Sequence, residues 1–310
     1  MGNQNFINAK KEKNDEFYTR LQDIEKEVFK YKEHFKDKVV LCNCDDPRVS
    51  QFFNYFFLNF KFFGLKKLIA TCYKNQEWNL FSDESSEKAV YIVYDGRSEG
   101  NMPDDKDIVV RELNGDGDFR SPECKAFLEL ADIVVTNPPF SLFREFVSLM
   151  EEYEKKYLII GNKNAIICKE IFPLFKENKL WLGVTAPDEF YTPDKNVTKK
   201  VNGLSRWFTN LPIKHTKESV ILYKKYKPEE YPKYDNYDAI EVSTVKNIPM
   251  DYNGIMGVPI SFLHKYNPEQ FEIIGLERYI APKEILVGGR LAINGKSTYA
   301  RILIRFKKGI

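Results

Sequence analysis

Strand-like and helix-like patterns alternate through the first two thirds of this 310-residue chain. Apolar residues recur at helical spacing over 21–35, and the short apolar run 39–44 that follows has the length of a strand. Residues 133–136, Ile-Val-Val-Thr, indicate a strand buried on both faces. The pattern therefore predicts an α/β fold with a mostly parallel sheet covered on both sides. Further helices are expected at 49–63, 123–130, 141–154 and 164–178, and strands at 68–71, 89–94, 108–110, 157–160 and 180–184.

The alternation ends near residue 184. Residues 185–206 are polar and predict a loop, whereas the apolar stretches 207–208 and 220–223 predict late strands of the same sheet. Residues 299–307 alternate charged and apolar side chains, which predicts a strand with one charged side. Clustered Tyr and Pro follow residue 227, so we place a domain boundary there. The two predicted domains are 1–227 and 228–310.

The composition argues against several classes of protein. No apolar run approaches the roughly 18 residues of a membrane span, and the polar, lysine-bearing residues 1–13 are unlike a secretory signal. The five cysteines form no C-x-x-C pair, which favours a reducing cytoplasm. The three histidines lack metal-ligand spacing, so we expect no structural or catalytic metal.

Positive charge is concentrated in the C-terminal half, although the formal net charge is only +2. Nine Lys or Arg residues stand against one acid over 195–227, and six stand against none over 285–310. This asymmetry suits a polyanionic partner such as DNA, although a solvated surface would carry the same pattern. The candidate DNA-binding residues are Lys199, Lys200, Arg206, Lys296, Arg301 and Arg305.

The tetrad Asn137-Pro138-Pro139-Phe140 directly follows the apolar run 133–136. An aromatic amine is a poor nucleophile because its lone pair is delocalised into the ring. A carboxamide oxygen and a backbone carbonyl oxygen that accept its two hydrogens free that lone pair, and prolines hold such a carbonyl rigidly. An aromatic ring next in line can stack on a base. These four residues are the candidate catalytic residues; the alternative is a Pro-Pro turn that merely ends a strand.

Acidic residues occupy two turns at the predicted carboxyl edge of the sheet, where α/β enzymes bind ligands. Asp45 and Asp46 end the first strand, and their carboxylates suit a cofactor's ammonium or ribose hydroxyls. A helix N-cap followed by proline fits them equally well. Asp116 and Asp118 lie in a second turn, where Asp118 is a candidate acceptor for the amine of a cofactor's adenine and Phe119 for contact with its ring. Turns of Asp and Gly are also common without a ligand.

Two further groups of residues are candidates for ligand binding. Glu16, Phe17 and Tyr18 precede the first helix, where they can fold over the methionine portion of a cofactor. A helix N-cap with a hydrophobic staple explains them equally well. Trp207 and Phe208 are candidates for the second wall of a base pocket, with ordinary core packing as the alternative.

Together these motifs resemble the EcoRI-type adenine DNA methyltransferases. The resemblance covers nearly the whole chain. It implies a seven-stranded, Rossmann-like methyltransferase sheet followed by a C-terminal target-recognition region. The stretches that carry it are 15–19, 42–50, 115–121, 133–140, 232–240, 251–260, 262–272 and 301–304.

The resemblance implies transfer of a methyl group from S-adenosyl-L-methionine to the exocyclic amine of an adenine flipped out of double-stranded DNA. Asn137 and Pro138 would hold the amine, Phe140 would stack on the base, and the motif 15–19 would bind the cofactor. Residues 43–47 stand where most such enzymes have a Gly-rich turn. We further expect a cytoplasmic monomer that works beside a restriction endonuclease, with GAATTC as the recognition sequence to test.

Two other classes stay open. A glutamine amide in a protein, or a base in RNA, poses the same lone-pair problem, so the tetrad alone does not select DNA. The basic C-terminal half and the resemblance favour DNA. The missing Gly-rich turn motivates a second alternative, a non-catalytic DNA-binding protein on the same fold.

Overall fold

The computed structural model describes most of the chain in two compact units. The first comprises Met1–Ala165 and Gly183–Leu211, and the second comprises Ile166–Leu182 and Pro212–Ile310. This division falls at residue 211, whereas the sequence placed a boundary near 227. The residues described are 18–44, 46–48, 50–73, 89–97, 103, 105–187, 189–191, 198–201, 203–212, 218–281 and 283–307.

Seventeen strands and seven α-helices are described in these residues. The helices are α1 (Leu21–Val28), α2 (Gln51–Leu58), α3 (Phe60–Phe63), α4 (Pro122–Leu130), α5 (Phe143–Glu152), α6 (Phe172–Lys176) and α7 (Glu277–Ile280). The strands up to residue 211 are β1 (Tyr18–Thr19), β2 (Val39–Asn43), β3 (Lys67–Thr71), β4 (Val90–Tyr94), β5 (Val110–Glu112), β6 (Ile133–Thr136), β7 (Lys156–Asn162), β8 (Trp181–Leu182), β9 (Glu189–Tyr191), β10 (Thr198–Lys200) and β11 (Ser205–Thr209). The later strands are β12 (Ile240–Glu241), β13 (Met256–Pro259), β14 (Phe271–Leu276), β15 (Ala292–Ile293), β16 (Lys296–Ser297) and β17 (Arg301–Phe306).

The main sheet has the strand order β5-β4-β3-β2-β6-β7-β11-β8. Its four central strands, β3, β2, β6 and β7, run parallel, whereas β4, β5 and β11 pair antiparallel. The predicted α/β fold is confirmed, with a sheet that is parallel at its centre and mixed overall. Eight strands are described in it, rather than the seven implied by the resemblance.

Burial explains why these segments form the centre of the sheet. Every residue of β2 and β6 is buried, as parallel strands covered on both faces require. Helix α1 buries Ile24 and Val28, and α5 buries Phe146 and Met150. Residues four apart lie on one face of a helix, so the apolar spacing in the sequence becomes the packed face.

Several predicted elements differ in the structure. The helix expected at 49–63 is interrupted at Asn59, between α2 and α3. The helix expected at 164–178 contains only the short α6, preceded by a 3-10 turn. The polar stretch 185–206, predicted to be a loop, contains β9 and β10, which form a three-stranded antiparallel sheet in the order β1-β9-β10.

The second unit contains a four-stranded sheet in the order β12-β13-β17-β14, and β15 and β16 form a hairpin. Helix α6 packs against β14. The strand predicted at 220–223 is wrong, because no strand is assigned there. Instead, the backbone N of Val220 donates to Oε1 of Gln270 at 2.7 Å, and Nε2 of Gln270 donates to the backbone O of Val220 at 3.0 Å. Across the described residues, no helix is both long and apolar enough to span a membrane.

Candidate active site

The two central strands β2 and β6 end side by side at the carboxyl edge of the main sheet. They pair in parallel. The hydroxyl of Thr136, the last residue of β6, donates a hydrogen bond to the backbone carbonyl oxygen of Asn43, the last residue of β2. Ligands of open α/β sheets bind at this edge. Asn137, the next residue, therefore lies directly beyond the middle of the sheet.

The tetrad connects β6 to α5 as an ordered turn. Pro138 is buried, and Asn137, Pro139 and Phe140 are half-buried. The side-chain oxygen Oδ1 of Asn137 is itself buried. Pro139 has φ −53° and ψ 127°, and its carbonyl oxygen accepts a hydrogen bond from the backbone N of Leu142 at 3.0 Å. The turn therefore combines a fixed backbone with partial solvent access.

Asp46 lies just beyond β2, and Asp45 is outside the described residues. The carboxylate of Asp46 accepts hydrogen bonds from the backbone N and Nε of Arg48, both at 2.9 Å. Helix α2 begins later, after Ser50, whose hydroxyl accepts from the backbone N of Phe53 at 3.4 Å. The alternative that Asp46 caps this helix is therefore wrong, and its role toward a cofactor stays a prediction.

The turn that carries Asp116 and Asp118 packs against the end of β3. A Cβ atom added to Gly117, which has φ +77°, would lie 1.9 Å from the backbone oxygen of Cys72. Only glycine permits this approach. Oδ1 of Asp116 accepts a hydrogen bond from the backbone N of Asp118 at 3.0 Å. The turn is thereby held at the carboxyl edge that also carries the tetrad.

Asp118 is paired with Arg120 in this turn. Its carboxylate accepts hydrogen bonds from Nε and Nη2 of Arg120 at 2.9 and 2.7 Å, and these bonds lower the pKa of Asp118. Arg120 also donates to Glu145 at 2.8 Å. The buried ring of Phe119 lies 5.1 Å from that of Phe146. Asp118 therefore stays a candidate acceptor in its ionised form, whereas Phe119 is packed in the core.

Two buried polar side chains are candidates for contact with a ligand: Thr19, the last residue of the N-terminal motif, and Asn43, which the sequence analysis did not single out. Oδ1 of Asn43 and Oγ1 of Thr19 are buried without a hydrogen-bond partner in the part of the chain that is described. Because buried polar atoms are normally bonded, these two atoms suit a partner outside the described residues, such as a ligand. Ammonium and hydroxyl groups of a nucleoside cofactor would fit them. For Asn43, the signal in the sequence was a single polar residue at the end of an apolar strand.

The N-terminal motif is only partly visible. Glu16 and Phe17 lie outside the described residues, and Tyr18 is described by its backbone alone. Tyr18 and Thr19 form β1, which pairs with Phe190 and Tyr191 of β9. The motif therefore leads into the three-stranded sheet, and its contact with a cofactor stays a prediction.

Trp207 and Phe208 have no exposed surface, at 0% each. Neighbouring residues of a strand point to opposite faces, so both faces of β11 are covered. The ring of Trp207 lies 6.0 Å from that of Phe52, and the ring of Phe208 lies 4.9 Å from that of Phe143. The prediction that they line a base pocket is wrong; they belong to the core.

Arg301, predicted to bind DNA, is 8% exposed and lies in the sheet of the second unit. Its Nε donates to both carboxylate oxygens of Glu241 at 3.0 Å, and its backbone N donates to Glu277. Glu277 also accepts a hydrogen bond from Arg290 at 2.7 Å. A guanidinium that is buried and paired in this way is not available to a phosphate, so this prediction is wrong.

The other basic candidates differ in exposure. Lys200, Lys296 and Arg305 are exposed. Lys200 and Arg305 form ion pairs with carboxylates at 3.4 and 2.7 Å. Arg206 is half-buried and donates to two backbone oxygens, and Lys199 is described by its backbone alone. No group of three or more His, Cys, Asp or Glu among the described residues could hold a metal ion.

A sheet with a parallel centre, whose middle strand runs directly into an Asn-Pro-Pro-Phe turn, defines the class of this protein as an α/β methyltransferase. The family described as "Adenine-specific methyltransferase EcoRI" matches residues 5–307, and the chain belongs to this family.

Three relatives cover nearly the full length of the chain. Type II methyltransferase M.EcoRI of Escherichia coli is 49% identical over 97% of this chain and 95% of its own. M.MgeORF184P of Mycoplasma genitalium is 38% identical over 97% and 98%. M.MpnI of Mycoplasma pneumoniae is 38% identical over 98% and 99%. No solved structure matches the chain.

The family answers the question of activity that the residues left open. The chain is an adenine-specific DNA methyltransferase, as the resemblance of its motifs implied. This activity is consistent with a candidate active site at the carboxyl edge of the main sheet.

Proposed function

We propose that this enzyme methylates the exocyclic amine of an adenine flipped out of duplex DNA, with S-adenosyl-L-methionine as donor. The observation that carries the proposal is the position of Asn137 directly beyond β6, beside the end of β2. Two prolines follow it and hold the backbone. An acceptor fixed in this way fits an amine that must lose its conjugation with the ring.

Asn137 and Pro138 together bind the target amine. The carboxamide oxygen of Asn137 accepts one amine hydrogen, and the carbonyl oxygen of Pro138 accepts the other. Phe140 stacks on the base and fixes the plane in which the amine lies. Because the turn is already rigid, little reorganisation is needed when the base arrives.

S-adenosyl-L-methionine supplies an electrophilic methyl group on a positively charged sulfur. Asn43, which ends β2, and Asp46, just beyond it, suit the ammonium and hydroxyl groups of this cofactor, and Asp118 suits the amine of its adenine. Glu16, Phe17 and Tyr18 are the proposed contacts for its methionine portion. These residues bind and orient the donor, and Asp118 does so in its ionised form because its pKa is lowered by Arg120. Asp45 and Asp116 are two further proposed contacts for S-adenosyl-L-methionine.

Duplex DNA is bound through phosphate contacts that position it without reading its sequence. The exposed side chains of Lys200, Lys296 and Arg305 support this role. The target base leaves the stack, because its amine cannot approach the donor inside the duplex. We further propose a cytoplasmic monomer that protects the DNA of its host from a restriction endonuclease of the same specificity.

Transfer of a radiolabelled methyl group to duplex DNA, RNA and peptide tests the substrate. We expect label in duplex DNA, on adenine, with GAATTC as the first sequence to compare with a scrambled duplex. Mapping methylated adenines in DNA from expressing cells then gives the recognition sequence. Label in RNA or peptide alone would contradict the proposal. Absence of S-adenosyl-L-methionine binding by calorimetry would favour a non-catalytic DNA-binding protein.

Asn137→Ala tests the tetrad. Loss of a preorganised acceptor is expected to lower kcat at least about 100-fold, with little change in donor affinity. Asn210→Ala is the matched control. Its side chain accepts from the backbone N of Tyr157 and donates to the backbone O of Lys155, both at 2.8 Å, so it removes two bonds far from the carboxyl edge. Full activity in Asn137→Ala would remove the tetrad from the mechanism.

A further inference from the structure

Glu27 is a buried carboxylate near the end of α1, with 0% exposure. It accepts hydrogen bonds from the backbone N of Val184 at 2.8 Å and from both the backbone N and the hydroxyl of Thr185, each at 2.6 Å. A fourth bond comes from the hydroxyl of Tyr31 at 2.9 Å. Four donors converge on one side chain. Burial raises the pKa of Glu27, and these hydrogen bonds act in the opposite direction.

The chain approaches Glu27 closely at Gly183. A Cβ atom added there would lie 2.3 Å from Oε1 of Glu27 and 2.5 Å from Cβ of Trp207. The backbone N of Gly183 donates to the carbonyl oxygen of Trp207 at 2.9 Å. The segment after β8 therefore leaves the sheet directly against the carboxylate.

The same segment is fixed again at the start of α1. We call residues 183–187 and 189–191 the strap. Its residues Phe190 and Tyr191 pair with the backbone of β1, the end of the N-terminal motif. Arg20, between β1 and α1, donates to Glu189 of the strap and to Asp23, the latter at 3.0 Å. The strap is thus attached to both ends of the helix that follows the motif.

We propose that Glu27 is a positioning residue for S-adenosyl-L-methionine binding: it fixes the strap, and the strap fixes β1, the described end of the motif. This inference rests on the proposed function of the motif 15–19. Glu27 acts without touching the donor. Residues 184 and 185, which it holds, precede the strand that pairs with β1, so a loosened strap changes the position of β1.

Glu27→Gln tests this role, because each carboxylate oxygen accepts from a backbone N–H, so the amide nitrogen would face a backbone donor in either orientation. We expect the Kd and KM for S-adenosyl-L-methionine to rise about tenfold, equivalent to about 1.4 kcal/mol, with kcat at saturating donor and DNA affinity within about twofold. Glu241→Gln is the matched control, a buried carboxylate that Arg301 and Tyr234 bond in the second unit. It is expected to lower the Tm without changing the donor Kd.

A fall in Tm for Glu27→Gln with the donor Kd of the wild type would overturn the proposal, since that is the behaviour of a purely structural residue. If Glu27→Gln does not fold, Thr185→Val decides, because it removes one bond to the same carboxylate and keeps the backbone bond. We expect Thr185→Val to raise the Kd for S-adenosyl-L-methionine about threefold, from the loss of one hydrogen bond, and an unchanged Kd overturns the proposal. Failure of the wild type to bind the donor would instead refute the proposed function.

Discussion

The hydroxyl of Thr136 donates a hydrogen bond to the backbone carbonyl oxygen of Asn43, and this bond ties together the ends of the two central strands. Both residues are buried, at 0% and 4% exposure. Asn137 follows Thr136 directly, so the bond fixes the strand end from which the proposed catalytic turn leaves the sheet. Small changes in this position matter, because methyl transfer requires a fixed attack geometry.

Thr136→Val keeps the shape of the side chain and removes the donor. The carbonyl oxygen of Asn43 loses a buried bond, so we expect a loss of about 1–3 kcal/mol in the free energy of unfolding. We also expect a lower kcat per folded molecule. Thr209→Val is the control, because Thr209 donates to the backbone O of Tyr157 at 2.7 Å at the opposite end of β7. Equal effects of both variants on kcat would contradict the role of Thr136.

Arg301→Met is expected to act on stability. Removing one partner of a buried ion pair leaves the carboxylate of Glu241 without its cation, at a cost of about 3–5 kcal/mol. Chemical denaturation measures this loss. Lys296→Ala, at an exposed position, is expected to keep the stability of the wild type and to reduce the salt dependence of DNA binding by about one unit of slope. Wild-type stability together with a reduced salt dependence of DNA binding in Arg301→Met would instead place Arg301 at the DNA interface.

Gly117→Ala is expected to weaken both folding and donor binding. The new Cβ would meet the backbone oxygen of Cys72 at 1.9 Å, so the turn must move away from β3. Gly203→Ala separates this effect from backbone strain, because Gly203 has φ +66° with nothing within 4 Å of an added Cβ. The control carries only the left-handed penalty of about 1–2 kcal/mol. Denaturant midpoints and donor titrations compare the two, and equal losses would show that the approach to Cys72 is unimportant.

Asp118→Asn is expected to flatten the acid limb of the stability curve. The bonds from Arg120 lower the pKa of Asp118 in the folded state below its ordinary value of 3.8. The pair therefore stabilises the fold above that value, and its contribution is lost as the pH falls through the lowered pKa. Measurements of Tm against pH should show a shallower decline below about pH 4 in the variant than in the wild type. A parallel decline would mean that Asp118 does not contribute to the acid transition.

The sequence predicted the centre of the fold well because that part depends on local periodicity. The apolar run at 133–136 became β6, buried throughout, and the tetrad follows it at the carboxyl edge. The spacing of Ile24 and Val28 became the packed face of α1. In both cases the pattern within one segment determines the burial.

The errors arose where burial depends on distant residues. Arg301 continues an alternating pattern that suggests a charged face, but its partner Glu241 is sixty positions away. Trp207 and Phe208 could line a pocket only if one face of their strand were open. Both faces of the strand are covered. Residues 220–223 are apolar, yet Ile221 is 89% exposed, and the backbone of Val220 bonds the side chain of Gln270, fifty residues later, in place of a neighbouring strand.

The second unit draws on two separate stretches of chain, 166–182 and 212–310. Helix α6 of the first stretch packs against β14 of the second, and the hydroxyl of Tyr279 donates to the backbone O of Ile167 at 2.7 Å. A chimera that exchanges only the C-terminal stretch between relatives would therefore join a resident helix to a foreign strand. An exchange of the second unit within this family therefore requires that both stretches are transferred together.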